Sequence, residues 1–300
     1  MEVDRMNEFK NYHPFVNFIY FMLVIGYTML IMHPLYLVVA FSCSFIYSAI
    51  LGGIKVVKKN LFYMVPLLLI MALVNPLFNH KGATILWYFP NGNPLTLEAV
   101  IYGILASVMI VSVIWWFSCF NNVMSSDKFV YLFGRIVPSL SLIFSMTLRF
   151  VPRFSYQLKR ISDSQRCIGR DISKGGILKR IKSGLSILSI MTTWALENAV
   201  ETADSMKSRG YGLKGRTAFS IYRFDKRDKV TLLLIVLLSI YIFVGVISGN
   251  LHCSFYPNIK ISGYSLYNLS LFVIYTIFCI LPVIIELWEV KKWKHTESKI

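Results

Sequence analysis

Residues 184–212, GLSILSIMTTWALENAVETADSMKSRGYG, decide the fold of this chain, because an apolar helical pattern becomes polar there and stops at a glycine. They lie inside a longer stretch, 151–228, that carries sixteen Lys and Arg against seven Asp and Glu. Membrane-length apolar segments lie on both sides of it. Most multi-pass proteins join their spans by short loops, so a basic helical insert of this size indicates an intracellular docking platform.

The composition is that of a multi-pass membrane protein. Hydrophobic residues make up 56% of the 300 residues and charged residues only 15%, while the net charge is +16. These values disfavour a soluble core. Because Lys and Arg beside spans are retained on the cytoplasmic side, membrane lipid is the default partner for the basic charge, and no nucleic-acid partner is expected. The five cysteines have no CxxC spacing and are interpreted as small core residues rather than metal ligands.

The predicted fold class is all-α, a polytopic membrane protein with about six transmembrane helices plus long cytoplasmic amphipathic helices. About 20 residues of helix cross a bilayer. Apolar segments of that length lie near 15–33, 35–53, 61–78, 97–118, 229–249 and 266–288. The N-terminus lacks the basic start of a signal peptide, so the first span is expected to be retained.

Basic residues set the predicted orientation. Two basic segments should lie on the cytoplasmic side of the membrane. They are the loop Lys55-Val56-Val57-Lys58-Lys59 and the tail with Lys291, Lys292 and Lys294. This predicts a multi-pass protein of the cell membrane with both termini in the cytoplasm.

Residues 129–150 are apolar enough to span, but they contain Arg135 and Pro138. A single crossing there would place the basic insert outside, so we interpret the segment as a broken, re-entrant or interfacial helix. The predicted domains are therefore a transmembrane region at 1–150, a cytoplasmic helical region at 151–228, and a transmembrane pair with a basic tail at 229–300.

Two amphipathic helices are predicted in the basic stretch. Apolar residues from Phe150 to Ile168 recur at steps of three and four. Pro152 fits the first turn of that helix, and Gly169 or the Gly175-Gly176 pair can end it. A second helix should run from about 177 to 208.

Arg209 stands at the end of the second helix, before Gly210 as a left-handed cap. It can neutralise the last carbonyl groups of the helix. It also offers a rigid fork of donors suited to a partner's carboxylate or backbone carbonyls.

Two patterns that approach nucleotide-binding motifs follow this helix end. Residues 210–215 match GxGxxG, and residues 210–217 read GxxxxGRT. Nucleotide loops of both kinds need a preceding strand, whereas a helix precedes here, and Arg216 replaces the phosphate-contacting lysine. We interpret the pattern as a glycine-rich turn.

The stretch from Leu148 to Thr217 resembles the transmembrane T component of energy-coupling factor (ECF) transporters, the micronutrient-importing branch of the ABC transporters. The similarity includes LRFVPRF, SDSQRCIGRD and ETADSMKSRGYGLKGRT. A small residue followed by Arg-Gly-Tyr at a helix end is the family's second signature.

The resemblance implies two coupling helices, each ending in a small-Arg-Gly motif, that insert into grooves of two ABC ATPase subunits. The second motif, Ser208-Arg209-Gly210, is intact, while the first has Ile168 where the family usually has Arg. Arg166 and Arg170 flank Ile168, and either could substitute. The implied docking residues are Ser208, Arg209, Gly210, Arg166, Gly169 and Arg170.

The resemblance also implies a force-transmitting subunit. ATP-driven motion of the ATPases would pass through the helices to a small hydrophobic substrate-binding S component, which releases a vitamin or metal inside. The chain would then be a non-catalytic subunit, without a catalytic residue, a cofactor or a metal site of its own.

Two other classes of function remain as alternatives. A membrane-embedded enzyme transferring a polyprenyl or phosphoryl group calls for clustered carboxylates that hold Mg²⁺. The nearest pair, Asp225 and Asp228, lies among basic residues and is interpreted as surface ion pairing. A self-sufficient carrier usually needs ionisable groups inside the bundle, whereas Glu98 and Glu286 lie near span ends and are interpreted as solvated or interfacial.

Overall fold

The computed structural model describes residues 8–88, 92–134, 138–172, 176–211, 213, 222–251, 253–258 and 265–297. Among these residues, a 3₁₀ turn at Glu8–Asn11 comes first. The α-helices are α1 (Pro14–Leu30), α2 (Pro34–Phe78), α3 (Leu97–Val123), α4 (Ser126–Gly134), α5 (Pro138–Cys167), α6 (Ile177–Ser208), α7 (Lys226–Ile247) and α8 (Leu266–Glu297). Strands β1 (Ile85–Tyr88) and β2 (Pro94–Thr96) form one antiparallel pair between α2 and α3.

The apolar segments are helices, which confirms an all-α polytopic membrane protein. Among the described residues, five helical segments are long and apolar enough to cross a membrane: Pro34–Ile54, Val56–Phe78, Leu97–Val123, Lys226–Ile247 and Leu266–Lys292. The first predicted segment forms α1, an apolar helix of 17 residues. That length is at the short end of what can span a bilayer, roughly 17–25 residues.

The basic loop predicted around Lys58 is wrong, because helix continues through this region. Gly53 alone leaves helical geometry, with φ 65° and ψ −179°, and it kinks α2 into two parts. Glycine adopts a positive φ without a Cβ clash, so one residue suffices for the break. The residues after it form the first turns of the second part of α2.

Two compact units make up the chain. The first comprises residues 1–125 together with 222–300, and the second comprises residues 126–221.

An aromatic core holds the first unit together. Side chains at helical spacing on α1, including Tyr20 and Phe21, are fully buried. The Tyr20 ring meets Phe9, Trp116 and Phe278 with centroids 5.5, 6.2 and 5.5 Å apart. Rings that interlock in tilted or edge contacts add to the free energy of simple burial. The 3₁₀ turn, α1, α3 and α8 therefore share one core.

Four of the five cysteines lie in the interior, as predicted, but the prediction of a core position is wrong for Cys167. Cys43, Cys119, Cys253 and Cys279 are buried and free, whereas Cys167 is exposed at the end of α5. The buried ones act as small apolar side chains.

Glu286 and Glu98 are buried, so of the two predicted alternatives, solvated or interfacial, the solvated one is wrong. Their exposed fractions are 1% and 3%. Glu286 accepts hydrogen bonds from the backbone N–H groups of Glu8 and Phe9 at 3.0 and 3.3 Å. Glu98 accepts from the backbone N–H of Thr84 at 3.2 Å and from its hydroxyl at 2.6 Å. Both carboxylates are retained in the interior because they satisfy backbone groups that would otherwise lack partners.

The sequence predicted that Asp228 forms an ion pair at the surface, and this prediction is also wrong. It is 4% exposed and accepts from the N–H groups of Asp225, at 3.0 Å, and His13, at 3.1 Å. One carboxylate thus caps α7 and also holds the residue that precedes α1. The neighbouring Arg227 instead lies 3.6 Å from Glu289.

Gly103 sets how closely α2 and α3 approach. A Cβ added there would lie 2.9 Å from the carbonyl oxygen of Ala72, an atom of the backbone that cannot rotate away. We expect Gly103→Ala to lower the free energy of unfolding by roughly 1–3 kcal/mol through overpacking. Denaturant titration in mixed micelles measures this change. Gly26→Ala in α1 is the matched control, since no heavy atom lies within 4 Å of its new Cβ, and equal stability of the two variants would contradict the expectation.

Candidate functional site

α5 and α6 pack against each other within the second unit. The Phe154 and Trp194 rings meet edge to face with centroids 5.5 Å apart, and the Arg153 guanidinium lies 5.7 Å from the centroid of the Trp194 ring. Ile161 and Ile187 are buried. A small cavity of about 150 Å³ adjoins these rings. The sequence placed these residues on helices but did not predict the pairing through Trp194.

α5 begins at Pro138, so the prediction that Pro152 lies in the first turn of the helix is wrong. Pro152 lies inside the helix, which runs without a break from an apolar first half into the amphipathic second half. The broken, re-entrant or interfacial helix was predicted for 129–150. Residues 135–137 within it lie outside the described part of the chain, and α4 and α5 lie on either side of them.

Gly169 ends α5 in a Schellman motif. Its φ is +82°, its N–H donates to the carbonyl of Arg166 at 3.0 Å, and the N–H of Arg170 donates to the carbonyl of Gln165 at 2.9 Å. These two bonds satisfy carbonyl groups that the helix leaves open. Gly169, one of the two predicted stops, is therefore the actual one.

Gly210 ends α6 in the same way, and α6 has the predicted bounds. Its φ is +76°, its N–H donates to the carbonyl of Lys207 at 3.0 Å, and the N–H of Tyr211 donates to the carbonyl of Met206 at 3.1 Å. Arg209 is the C-cap residue, and Ser208 is the last helical residue.

We name residues 165–170 the first tip and residues 206–211 the second tip. The matching hydrogen bonds make Gly169 equivalent to Gly210, and Ile168 equivalent to Arg209. Arg166 then corresponds to Lys207, and its Nε lies 3.3 Å from Asp171. Arg170 follows the glycine at the position of Tyr211. The six predicted docking residues thus lie at two helix ends of one compact unit.

The second tip presents cationic charge to solvent. Arg209 is exposed and forms no ion pair within the described ranges of the chain. The partial negative charge at the C-terminus of α6 favours a guanidinium there. A partner that approaches this helix end meets a five-donor fork that is free to bind a carboxylate.

An apolar stripe runs along the exposed face of α6. Leu178, Leu185 and Leu188 are 83%, 61% and 61% exposed, and Leu196 and Val200 continue the stripe at 64% and 63%. These positions span about 33 Å of helix at 1.5 Å per residue. Exposed apolar side chains that share one face of a helix in this way mark a site that another protein or lipid covers.

The glycine-rich near-motifs fall largely outside the described residues, because 212 and 214–221 are not among them. The preceding element is the helix α6, as predicted. Over the described ranges, no group of three or more His, Cys, Asp and Glu side chains is arranged to hold a metal ion.

Comparison with known proteins places these features in a family. The family described as CbiQ, cobalt transport protein, matches residues 12–219. The energy-coupling factor transporter transmembrane protein EcfT of Staphylococcus aureus is 26% identical over 240 residues, which are 72% of this chain and 88% of that protein. EcfT of Lactobacillus helveticus is 35% identical over 108 residues, 36% of this chain and 39% of that protein.

An uncharacterized protein of Mycoplasma genitalium, MG181, is 31% identical over 166 residues, 52% of this chain and 40% of that protein. The chain thus spans most of the staphylococcal relative and about two fifths of the other two. The family match extends over more than half of the chain and includes both tips. This protein therefore belongs to the CbiQ cobalt transport family, and it is similar to transmembrane proteins of energy-coupling factor transporters.

Proposed function

We propose that this chain couples the ATP-driven motion of two ABC ATPase subunits to a small hydrophobic S component that carries a micronutrient, a vitamin or a metal ion, into the cell. The observation that carries the proposal is that two long helices of one compact unit end in the same capped geometry. Family membership supports it, because relatives are transmembrane proteins of energy-coupling factor transporters. In this role the chain transmits force and performs no catalysis.

The tips are the proposed docking elements for the ATPases. At the second tip, Ser208, Arg209 and Gly210 would enter a groove of one subunit, with the guanidinium bound by a carboxylate or carbonyl group. At the first tip, the region of Arg166, Gly169 and Arg170 would enter the other groove. A Schellman end suits this task because its hydrogen bonds fix the direction of the last side chains.

The two helices serve as the proposed shaft. At 1.5 Å per residue, the 30 residues of α5 and the 32 residues of α6 extend about 45 and 48 Å. The contact of Phe154 and Arg153 with Trp194 joins them, so a displacement applied to one helix end moves both. Packed side chains resist compression, which lets a helix pair transmit a displacement.

The apolar stripe of α6 is the proposed seat of the S component. Leu178, Leu185, Leu188, Leu196 and Val200 together expose an apolar surface long enough to receive a helix of another membrane protein. Lipid would cover the outer faces of the membrane spans, where many apolar side chains are also exposed.

The proposed orientation places both termini and the region 151–228 in the cytoplasm, where ATP is available. The excess of Lys and Arg in that region supports this orientation. The three-part division at 1–150, 151–228 and 229–300 belongs to the same proposal.

Reconstitution tests the proposed function. The purified chain in liposomes is expected to show no nutrient flux alone, because it lacks the motor and the substrate-binding subunit. Flux should appear when the ATPase pair, an S component and ATP are supplied, and it should stop when a non-hydrolysable ATP analogue replaces ATP. Uptake by the chain alone would instead establish a self-sufficient carrier, and turnover of lipid by the chain alone would establish a membrane enzyme.

A further inference from the structure

We propose that the first tip docks by inserting the side chain of Ile168 into an apolar pocket of its ATPase subunit, so that neither flanking arginine replaces the Arg209-type contact. This inference rests on the proposed function and specifies the chemistry of one of its two contacts. The two tips would then share a backbone geometry but bind unlike surfaces.

The backbone assigns Ile168 to the docking position. The pair of hydrogen bonds that closes α5 is the pair that closes α6, and each motif has its left-handed glycine one residue after the C-cap. A groove that receives the second tip at Arg209 would therefore meet Ile168 when it receives the first. Ile168 is 71% exposed, so its side chain is available to a partner.

The flanking arginines lie elsewhere on the motif. Arg166 is two residues before the C-cap, on the last helical turn, and its Nε lies 3.3 Å from the Asp171 carboxylate. Its charge already has a partner in Asp171, the residue that directly follows the tip. Arg170 lies two residues after the C-cap, beyond the left-handed turn at Gly169 that redirects the chain. Neither guanidinium therefore starts from the backbone position that Arg209 occupies.

The surroundings of Ile168 favour an apolar partner. Ile172, four residues on and just beyond the tip, is 37% exposed, so two exposed β-branched apolar side chains lie close together along this segment. Burial of Ile168 in a partner would remove apolar surface from water, which is favourable. A carboxylate placed to receive an arginine would instead be desolvated against Ile168 without a partner, which is costly. The complementary groove is therefore apolar where Ile168 enters.

A binding experiment on the detergent-solubilised chain and its ATPase pair tests this inference. We expect Ile168→Arg to weaken binding at least about tenfold, because a charge would be buried without a partner. Ile168→Leu should bind within about twofold of the natural chain, because it keeps the apolar volume. Ile177→Arg is the matched control, since Ile177 is 76% exposed at the start of α6 and lies outside both tips. Thermal unfolding of each variant verifies that the fold is intact.

Arg209→Glu measured in parallel separates the two proposals. If Arg209→Glu releases the ATPases while Ile168→Arg binds as well as the natural chain or better, the apolar pocket is wrong and the coupling function stands. An equal loss for Ile168→Arg and Ile177→Arg would also overturn the pocket, because the effect would then be one of added charge. If neither tip variant changes binding, or if the natural chain binds no ATPase, the coupling function itself fails.

Discussion

Replacement of Arg209 by glutamate is expected to release the ATPase pair and abolish ATP-dependent uptake. The change reverses the charge at the exposed end of α6, where a carboxylate in the receiving groove would then meet another carboxylate. Truncation of one partner of a buried charge pair typically costs about 2–5 kcal/mol of binding, and repulsion adds to that loss. The measurement is the amount of ATPase that co-purifies with the tagged chain, together with uptake in proteoliposomes.

The fold itself should survive changes at Arg209. Its side chain is exposed, and a helix-end charge contributes only about 0.3–1 kcal/mol. Arg209→Ala should therefore unfold at nearly the same temperature as the natural chain while it binds the ATPases weakly. Lys179→Glu provides the same reversal of charge near the N-terminus of α6, at an exposed position outside residues 165–170 and 206–211, and should leave association intact. Full association and uptake by Arg209→Glu would show that this residue does not dock.

Replacement of Glu286 by alanine is expected to cause the largest loss of stability. The carboxylate accepts hydrogen bonds from the backbone N–H groups of Glu8 and Phe9. These three residues lie where the N-terminal turn packs on α8. Without it, two backbone donors lose their partner at about 1–3 kcal/mol each. Phe9, which is fully buried against the rings of Tyr20 and Phe21, would also lose its anchor. The thermal unfolding midpoint in detergent should fall by roughly 5 °C or more.

Glu286→Gln distinguishes the hydrogen bonds from the charge. Glutamine keeps one acceptor oxygen, so its loss of stability should be smaller than that of alanine. Glu197→Ala is the control, because Glu197 is an acidic residue that is exposed on α6. An unfolding midpoint of Glu286→Ala equal to that of Glu197→Ala would mean that the N-terminal turn is held by its apolar contacts alone.

Local patterns were sufficient to predict most of the helices. The bounds of α6 followed from an apolar period of three and four that ends before Arg209-Gly210, and a glycine that can adopt a positive φ sets the end of a helix. The stop at Gly169 was one of two predicted alternatives. The start of α5 was missed because Pro152 looks like an N-terminal signal, whereas a proline inside a long helix has the same sequence signature.

Interactions between distant residues could not be predicted in this way. Glu98, Glu286 and Asp228 looked like solvated or surface acids, because nothing in their neighbourhood along the chain shows which N–H groups will face them. Glu286 finds its partners 277 and 278 residues away, and Asp228 finds His13 215 residues away. The contact of Arg153 and Phe154 with Trp194 joins two helices in the same manner.

The candidate docking site also has features that the sequence predicts and features that require the structure. The sequence alone determined that the chain is an all-α membrane protein with a basic helical region, and that Arg209 lies at a helix end, because helical period, charge and glycine chemistry are local properties. Only the three-dimensional structure showed that the two helix ends are closed by the same hydrogen bonds, which makes Ile168, rather than Arg166 or Arg170, the equivalent of Arg209. Whether two residues occupy equivalent positions at two helix ends depends on the direction of the backbone and on which N–H and C=O groups bond to each other. Residue spacing alone does not encode either of them.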